Sequence, residues 1–307
     1  MMLQENEIIK TCLITGGNGY LGKYISEYLN SLGWDIATLG LKATNTYQCN
    51  LKENTPVLLG SFDFVVHCAG KAHFFPSTKE EKQEFFDVNV NGTKNLLKAL
   101  EKASSLPKAI VFLSSVSVYG LDKGELVNEE ALLQSKYAYG QSKIEAEKVL
   151  IEWCNKNQVK YAILRVPLLA GKNPPGNLKN MINSIKKGYY FNISGTIRKS
   201  MVMAKDVAKI VPAALSVGGI YNLTDGYHPY VKDLANLIAK QLGKNPPLTI
   251  PATIGQLFLF FAKLFSPFFP QETYKLQKLT TSLTFDDSKA RTMLGWNPSK
   301  VLDKFEI

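Results

Sequence analysis

Residues 15–22 read Thr-Gly-Gly-Asn-Gly-Tyr-Leu-Gly, with glycines at positions 16, 19 and 22. The apolar run Ile8 to Thr15 leads into them as a short strand, and a helical pattern from about Leu21 to Leu32 leads away. That is the setting of a dinucleotide-binding turn. Gly16 permits the tight turn, Gly19 lets the backbone approach a pyrophosphate, and Gly22 lets helix and strand pack closely. Free amides and the dipole at the helix N-terminus then attract the phosphates. A tight turn without a ligand is the competing reading. The agreement of strand, spacing and helix favours the cofactor.

Outward from the turn the alternation continues. Ile36 to Leu39, Phe62 to Cys68, Ala109 to Ser114 and Tyr161 to Arg165 read as further strands. Helices are expected from about Lys79 to Ser104, with a break near Asn91-Gly92, and from Tyr137 to Asn155. Continuous apolar strands separated by helices indicate a parallel sheet covered on both faces. The expected fold class is therefore α/β, a Rossmann-like doubly wound parallel sheet. Past Pro167 the texture turns to loops, short helices and prolines. Residues 1–169 are expected to form the NAD(P)-binding Rossmann domain, with 196–217 returning to it. Residues 170–307 are expected to form mainly a smaller C-terminal substrate-binding region.

Composition narrows the function. The 307 residues are 45% hydrophobic and 20% charged, which excludes a disordered or collagen-like chain. Lys and Arg total 36 against 26 Asp and Glu, a formal charge of +10. That excess invites anionic partners: nucleic acid, an anionic membrane surface or phosphate-bearing small molecules. The cysteines (Cys12, Cys49, Cys68, Cys154) lack CxxC or disulfide-like spacing and read as free thiols in a reducing compartment. His67, His73 and His228 make no metal-ligand pattern, so no metal is expected. Met1 to Lys10 lacks the apolar stretch of a secretory signal, and a cytoplasmic location is expected. Leu257 to Phe265 is too short to span a bilayer and contains Lys263, so no membrane span is expected. The wider run 257–269 reads as a packed helix or a subunit contact rather than a membrane-touching face.

The choice of cofactor turns on the end of the second strand. An NAD site usually places Asp or Glu there, roughly 20 residues past the glycines, to hold the ribose 2′-hydroxyl. This chain has Leu39-Gly40-Leu41-Lys42. With no carboxylate to repel a 2′-phosphate and a cation at Lys42, the reading is NAD or NADP, tilted slightly toward NADP. A merely solvated Lys42 is the alternative.

Two stretches carry the chemistry. Ser114 to Gly120 (SSVSVYG) closes the strand beginning at Ala109, and Tyr139-Gly140-Gln141-Ser142-Lys143 opens the next helix. Tyr139 and Lys143 stand at i and i+4 and share a helix face. An ammonium beside a phenol, or a positively charged nicotinamide, lowers the phenol pKa and suits it to proton exchange with an alcohol. Ser115 is placed to hydrogen-bond the same oxygen. A surface Tyr/Lys pair is the bland alternative, and the glycine turn upstream argues against it.

TGGNGYLG (15–22), HCAG (67–70), NVNGT (89–93), LSSVSVYG (113–120), YGQSK (139–143) and FDDSKARTMLGWNP (285–298) resemble the extended short-chain dehydrogenase/reductase superfamily. More narrowly they resemble its nucleotide-sugar epimerase/dehydratase branch, nearly end to end. The resemblance implies that Ser115, Tyr139 and Lys143 are catalytic, with Tyr139 as acid/base and Lys143 also holding the nicotinamide ribose. It implies that Gly16, Asn18, Gly19, Tyr20 and Leu21 surround the pyrophosphate. Asn50-Leu51 stands where an Asp-Leu pair meets adenine, a departure of one residue. Ala69, Gly70 and Lys71 would lie along the cofactor, Asn89 near the active site and Pro167 beside the nicotinamide. Asn177 and Leu178 resemble the loop that meets a sugar-nucleotide diphosphate, and Tyr190 to Ile193, with Phe191, the strand beside the nucleobase. Lys199 stands where relatives place a phosphate-binding arginine, with Arg198 adjacent.

Departures from the pattern sharpen the reaction. Dehydratases of this superfamily carry Thr-Asp-Glu where this chain has Ser115-Val116-Ser117, so water elimination is poorly supported. Leu168 occupies the position of a substrate-binding asparagine in galactose-type epimerases. Lys71-Ala72-His73 is reminiscent of enzymes acting on 4-keto or N-acetylated deoxy-sugars in polysaccharide biosynthesis; His73 reads equally as a substrate contact or a loop histidine. The first functional reading is a UDP-hexose-type 4-epimerase using NAD(P). The alternative is an NADPH-dependent 4-keto nucleotide-sugar reductase, and the second alternative a non-catalytic nucleotide- or RNA-binding member. The dispersed basic residues lack the aromatic interleaving of an RNA platform, so no nucleic acid partner is expected. The resemblance also implies a homodimer through the helices near 90–104 and 137–155.

Overall fold

The computed structural model describes residues 9–193, 197–251, 253 and 281–307. The first unit runs β1 (Thr11–Thr15), α1 (Tyr20–Ser31), β2 (Asp35–Gly40), β3 (Tyr47–Gln48), β4 (Phe64–His67), α2 (Lys79–Phe86), α3 (Gly92–Glu101), β5 (Ala109–Ser115), β6 (Gly124–Val127), α4 (Ala138–Asn157) and β7 (Lys160–Val166). Beyond it come β8 (Leu168–Ala170), α5 (Gly176–Lys187), β9 (Asn192–Ile193), β10 (Met201–Met203), α6 (Ala204–Val217), β11 (Gly219–Asn222), α7 (Val231–Gln241), β12 (Thr249–Ile250), β13 (Leu283–Phe285), α8 (Ser288–Leu294) and α9 (Val301–Lys304).

Seven parallel strands form one sheet in the order β11-β7-β5-β4-β1-β2-β3. The order reverses between β1 and β4, which opens a crevice at their carboxyl ends. Successive residues of each strand face opposite layers. Cys12, Ile14, Val66, Val111 and Leu164 pack with Ile25 of α1 and Val207 and Val211 of α6. Leu13, Val65, Ile110 and Phe112 pack on the other side with Leu96 and Leu100 of α3 and Leu150 of α4. This is why the strands read as unbroken apolar runs: both faces are covered, and all seven residues of β5 are buried. The architecture is the doubly wound parallel sheet expected from the sequence.

The stretch from Met201 divides. Strand β10 pairs with β8 in a separate two-stranded ribbon, whereas α6 lies in the core against α1 and β11 extends the main sheet beside β7. Ala290, Leu294 and Trp296, from α8 and just after it, join that same core. A second core, built from Leu178 and Ile182 of α5, Leu234 and Ile238 of α7 and Val301 of α9, supports the C-terminal region.

One local expectation is corrected. The chain does not break at Asn91-Gly92; it passes through a wide π-helical turn, Asp87–Asn91, and continues as α3. Asn91 (φ −65, ψ −36) and Gly92 (φ −58, ψ −42) both keep helical backbone there. The four cysteines are free. No described helix is long and apolar enough to cross a membrane. The Phe-rich run 257–269 lies outside the described residues, as do residues 1–8 and 196.

Candidate active site

The glycine turn is built by close approach. Gly16 has φ +69, a left-handed backbone, and a Cβ there would come within 2.8 Å of the Ala69 nitrogen. A Cβ on Gly22 would overlap the Gly16 carbonyl oxygen, so α1 rests directly on the turn. Gly19 N–H donates to Gly16 O at 2.8 Å, and no side chain caps the N-terminus of α1. Its first-turn amides therefore remain for an anion. A flat, narrow cradle with uncapped amides fits the pyrophosphate of a nicotinamide dinucleotide.

The neighbours of the turn divide by role. Leu21 is buried in the core, and Tyr20 packs edge-on to Tyr24 at 5.5 Å with its hydroxyl against Gly171, so both offer the crevice only backbone. Asn18 donates to Thr44 at 3.1 Å and ties the turn to the loop after β2. Lys42 is exposed in that loop, where its carbonyl accepts from Asn45 at 2.7 Å. The Asn50 side chain accepts from Lys52 N at 3.3 Å, and buried Leu51 has its carbonyl held by Asn95 at 2.8 Å.

The loop after β4 is clamped to α4. Ala69 N donates to Thr15 Oγ1 at 3.2 Å. Asn89 accepts from Lys71 N at 2.7 Å and donates to Lys71 O at 3.1 Å and Ser142 Oγ at 2.9 Å. Both ends of its amide are thus engaged in joining the Gly70 loop, the π-helical turn and α4. The Lys71 ammonium pairs with Glu84 and lies 4.8 Å over the Phe74 ring. Pro167 joins β7 to β8 beyond these strand ends.

Ser115, Tyr139 and Lys143 converge. Ser115 ends β5, its hydroxyl accepts from Ser117 N at 3.2 Å, and its side chain hydrogen-bonds the Tyr139 phenol. Lys143 is buried and donates to Leu113 O at 2.6 Å, with its ammonium 4.3 Å over the Phe112 ring. Burial lowers its pKa to about 8. The expected lowering of Tyr139 is corrected for the protein alone: burial pushes the phenol up, and only the Ser115 hydrogen bond works against it. Desolvating a phenolate costs more than that one hydrogen bond returns.

The other predicted residues belong to the C-terminal region. Asn177 is exposed in the first turn of α5, and the His73 ring, at φ +59, lies against Gly176 beside it. The Leu178 side chain is fully buried in the second core, so only its backbone is free to meet a ligand. Phe191 is exposed just before β9. Arg198 is exposed with its guanidinium 4.6 Å over the Tyr230 ring, and half-buried Lys199 bridges to Leu283.

Sequence reading passed over one buried cluster, Ser114, Glu147 and Arg165, directly behind Lys143. Glu147 stands four residues after Lys143, a spacing that pointed to it; Arg165 left no local signal. Among the described residues no group of three or more His, Cys, Asp or Glu is placed to hold a metal.

With this geometry in place, sequence comparison decides the family. The profile of the NAD dependent epimerase/dehydratase family matches residues 12–224. The chain belongs to this family. Proteins similar to the chain include epimerases and a reductase, and the chain is an NAD(P)-dependent enzyme of this family. The non-catalytic and RNA-binding alternative is thereby set aside. An N-acetyl-α-D-glucosaminyl-diphospho-ditrans,octacis-undecaprenol 4-epimerase of Escherichia coli O157:H7 is 30% identical over 220 residues, covering 68% of this chain and 66% of that one. A UDP-glucose 4-epimerase of Vibrio cholerae is 24% identical, covering 99% and 95%. The UDP-glucose 4-epimerase of Thermotoga maritima, solved with UDP-glucose, superposes with a TM-score of 0.71 at 19% identity, covering 96% of each chain. That likeness shows a shared epimerase fold.

Proposed function

We propose that this family member is a nucleotide-sugar 4-epimerase of the UDP-hexose type. The observation that carries the reading is the convergence of Ser115, Tyr139 and Lys143 at the strand ends beside the glycine turn. Ser115 hydrogen-bonds the sugar C4 oxygen, and Tyr139 takes the C4 hydroxyl proton as general base. Lys143 places a positive charge beside the phenol and holds the nicotinamide ribose. The bound dinucleotide supplies the acceptor and donor of the C4 hydride. After the 4-keto sugar turns in the site, Tyr139 returns the proton and the product leaves inverted at C4.

Binding follows from the same map. Gly16, Gly19 and the amides of α1 take the pyrophosphate, Ala69 and Gly70 line the cofactor, and Asn50 meets the adenine end. Asn177, Arg198 and Lys199 take the substrate diphosphate, with Phe191 against the base. Helices α3 and α4 are read as the contact of a homodimer, and the enzyme as cytoplasmic.

The test is direct. Purified protein with NAD(P) is offered UDP-glucose, UDP-N-acetylglucosamine and a polyprenyl-diphosphate N-acetylhexosamine, because the E. coli relative acts on a lipid-linked sugar. Proton NMR is expected to show C4-inverted product with no net change at 340 nm. The second reading, an NADPH-dependent 4-keto nucleotide-sugar reductase, is favoured by exposed Lys42 and by the lack of a carboxylate at the end of β2. Stoichiometric NADPH consumption with a 4-keto substrate, and no epimer from any of the three sugars, selects it instead.

A further inference from the structure

Behind Lys143 lies a buried ion pair that the catalytic reading does not use. Glu147 and Arg165 have side chains 2% and 3% exposed, and Arg165 Nη2 meets Glu147 Oε2 at 2.7 Å. Arg165 Nε donates to the other carboxylate oxygen at 3.2 Å, and the Ser114 hydroxyl also donates to Glu147. The guanidinium is fixed in turn by Tyr119 at 3.1 Å and the Glu129 carbonyl at 3.3 Å. Tyr119 donates to Asn222 at 2.7 Å, so the network reaches β11.

A buried Arg–Glu pair adds little to stability compared with an apolar pair of the same volume. Its position suggests another use. Glu147 is one helical turn past Lys143 on α4, on the same face. The two side chains dock on consecutive residues of β5: Lys143 on the Leu113 carbonyl, Glu147 on the Ser114 hydroxyl. A two-pronged guanidinium and a hydroxyl hold the carboxylate in one place, whereas a lone buried carboxylate would protonate or turn away.

The ionisable groups around Lys143 leave Glu147 as its source of standing negative charge. Burial lowers Lys143, and Glu147 and Cys68 oppose that lowering. Cys68, however, is pushed up to about 12 by burial and is a neutral thiol at neutral pH. His67 is lowered to about 3 and carries no charge, and Tyr139 is raised.

We infer that Glu147, pinned by Arg165 and Ser114, is a positioning residue whose fixed negative charge keeps the Lys143 ammonium charged and docked at the hydride-transfer site. This builds on the role given to Lys143 above, so its test reads the lysine itself and needs no substrate.

The full-length protein is labelled with 13Cε-lysine and titrated by NMR, with the Lys143 signal identified by its loss in Lys143→Met. In the wild type this signal is expected to titrate near 8, apart from the surface lysines. Glu147→Gln is expected to move the midpoint down by about one unit or more, and Glu147→Asp to restore at least half of that shift. Because Glu147→Gln strands a buried guanidinium, the double variant Glu147→Gln/Arg165→Gln is measured beside it. It leaves no unpaired charge and, because the guanidinium's repulsion of the ammonium goes with it, is expected to show a smaller fall in the same direction. An unchanged or raised midpoint in either variant overturns the inference. Absence of turnover with the sugars offered, alongside the expected fall, would count against the epimerase reading and leave this one standing.

Discussion

The Lys143 ammonium donates to the Leu113 carbonyl oxygen at 2.6 Å, from a helix onto the strand that ends at Ser115. That bond fixes the cation's place and leaves its other N–H donors for the tyrosine and ribose of the proposed scheme. The ammonium is buried, and burial of a cation disfavours the folded state. Lys143→Met is therefore expected to lower kcat by ~100-fold or more while leaving the chain at least as stable as wild type. Steady-state kinetics together with a urea titration check both halves.

Tyr139→Phe keeps the ring, its packing 5.9 Å from Phe85, and the volume, and removes only the ionisable hydroxyl. Turnover is expected to fall by ~100- to 10,000-fold, with nicotinamide cofactor affinity within about threefold of wild type. Wild-type turnover in this variant would sink the proton-transfer scheme.

Gly22→Ala places a methyl group onto the backbone oxygen of Gly16, and neither the helix nor the turn can swing aside without losing the other. We expect ~2–3 kcal/mol of destabilisation, of the size seen for overpacked cores, and weaker dinucleotide binding. Urea midpoints and cofactor fluorescence titrations report the two effects separately.

His67 makes the fold acid-sensitive. Thr93 Oγ1 already donates to the Asn89 carbonyl at 2.6 Å, so His67 Nε2 is the donor in its 2.9 Å bond to Thr93. Nδ1 must then accept from Thr15 Oγ1 at 2.6 Å, which requires neutral imidazole. Burial lowers its pKa to about 3, against 6.5 for a free histidine. The unfolded chain binds this proton first as pH falls, so stability is lost progressively from about pH 6.5 down to about pH 3 and is unaffected above. The loss from this residue alone is bounded at roughly 5 kcal/mol. Comparing urea midpoints of wild type and His67→Gln across that window tests the assignment, the variant being expected to show the shallower slope.

Lys42 bears on the cofactor. Lys42→Glu is expected to weaken NADPH binding by about tenfold relative to NADH, a modest effect because the side chain is exposed. Equal loss for the two cofactors would remove Lys42 from the 2′-phosphate site.

Several features were legible in the chain itself because they are local or periodic. The glycine spacing at 16, 19 and 22 dictates a turn that only small residues can close. Unbroken apolar runs such as Ala109–Ser115 declare strands buried on both faces. The four-residue step from Tyr139 to Lys143 puts both on one side of a helix. The tertiary structure decided what depends on residues far apart in sequence. It engaged both ends of the Asn89 amide in the Lys71 loop and Ser142, turned Leu178 into a core, and raised the Tyr139 phenol through burial. It also paired Arg165 with Glu147, 18 residues away, behind the lysine. Such contacts depend on which surfaces the folded layers press together, and no spacing along the chain records that.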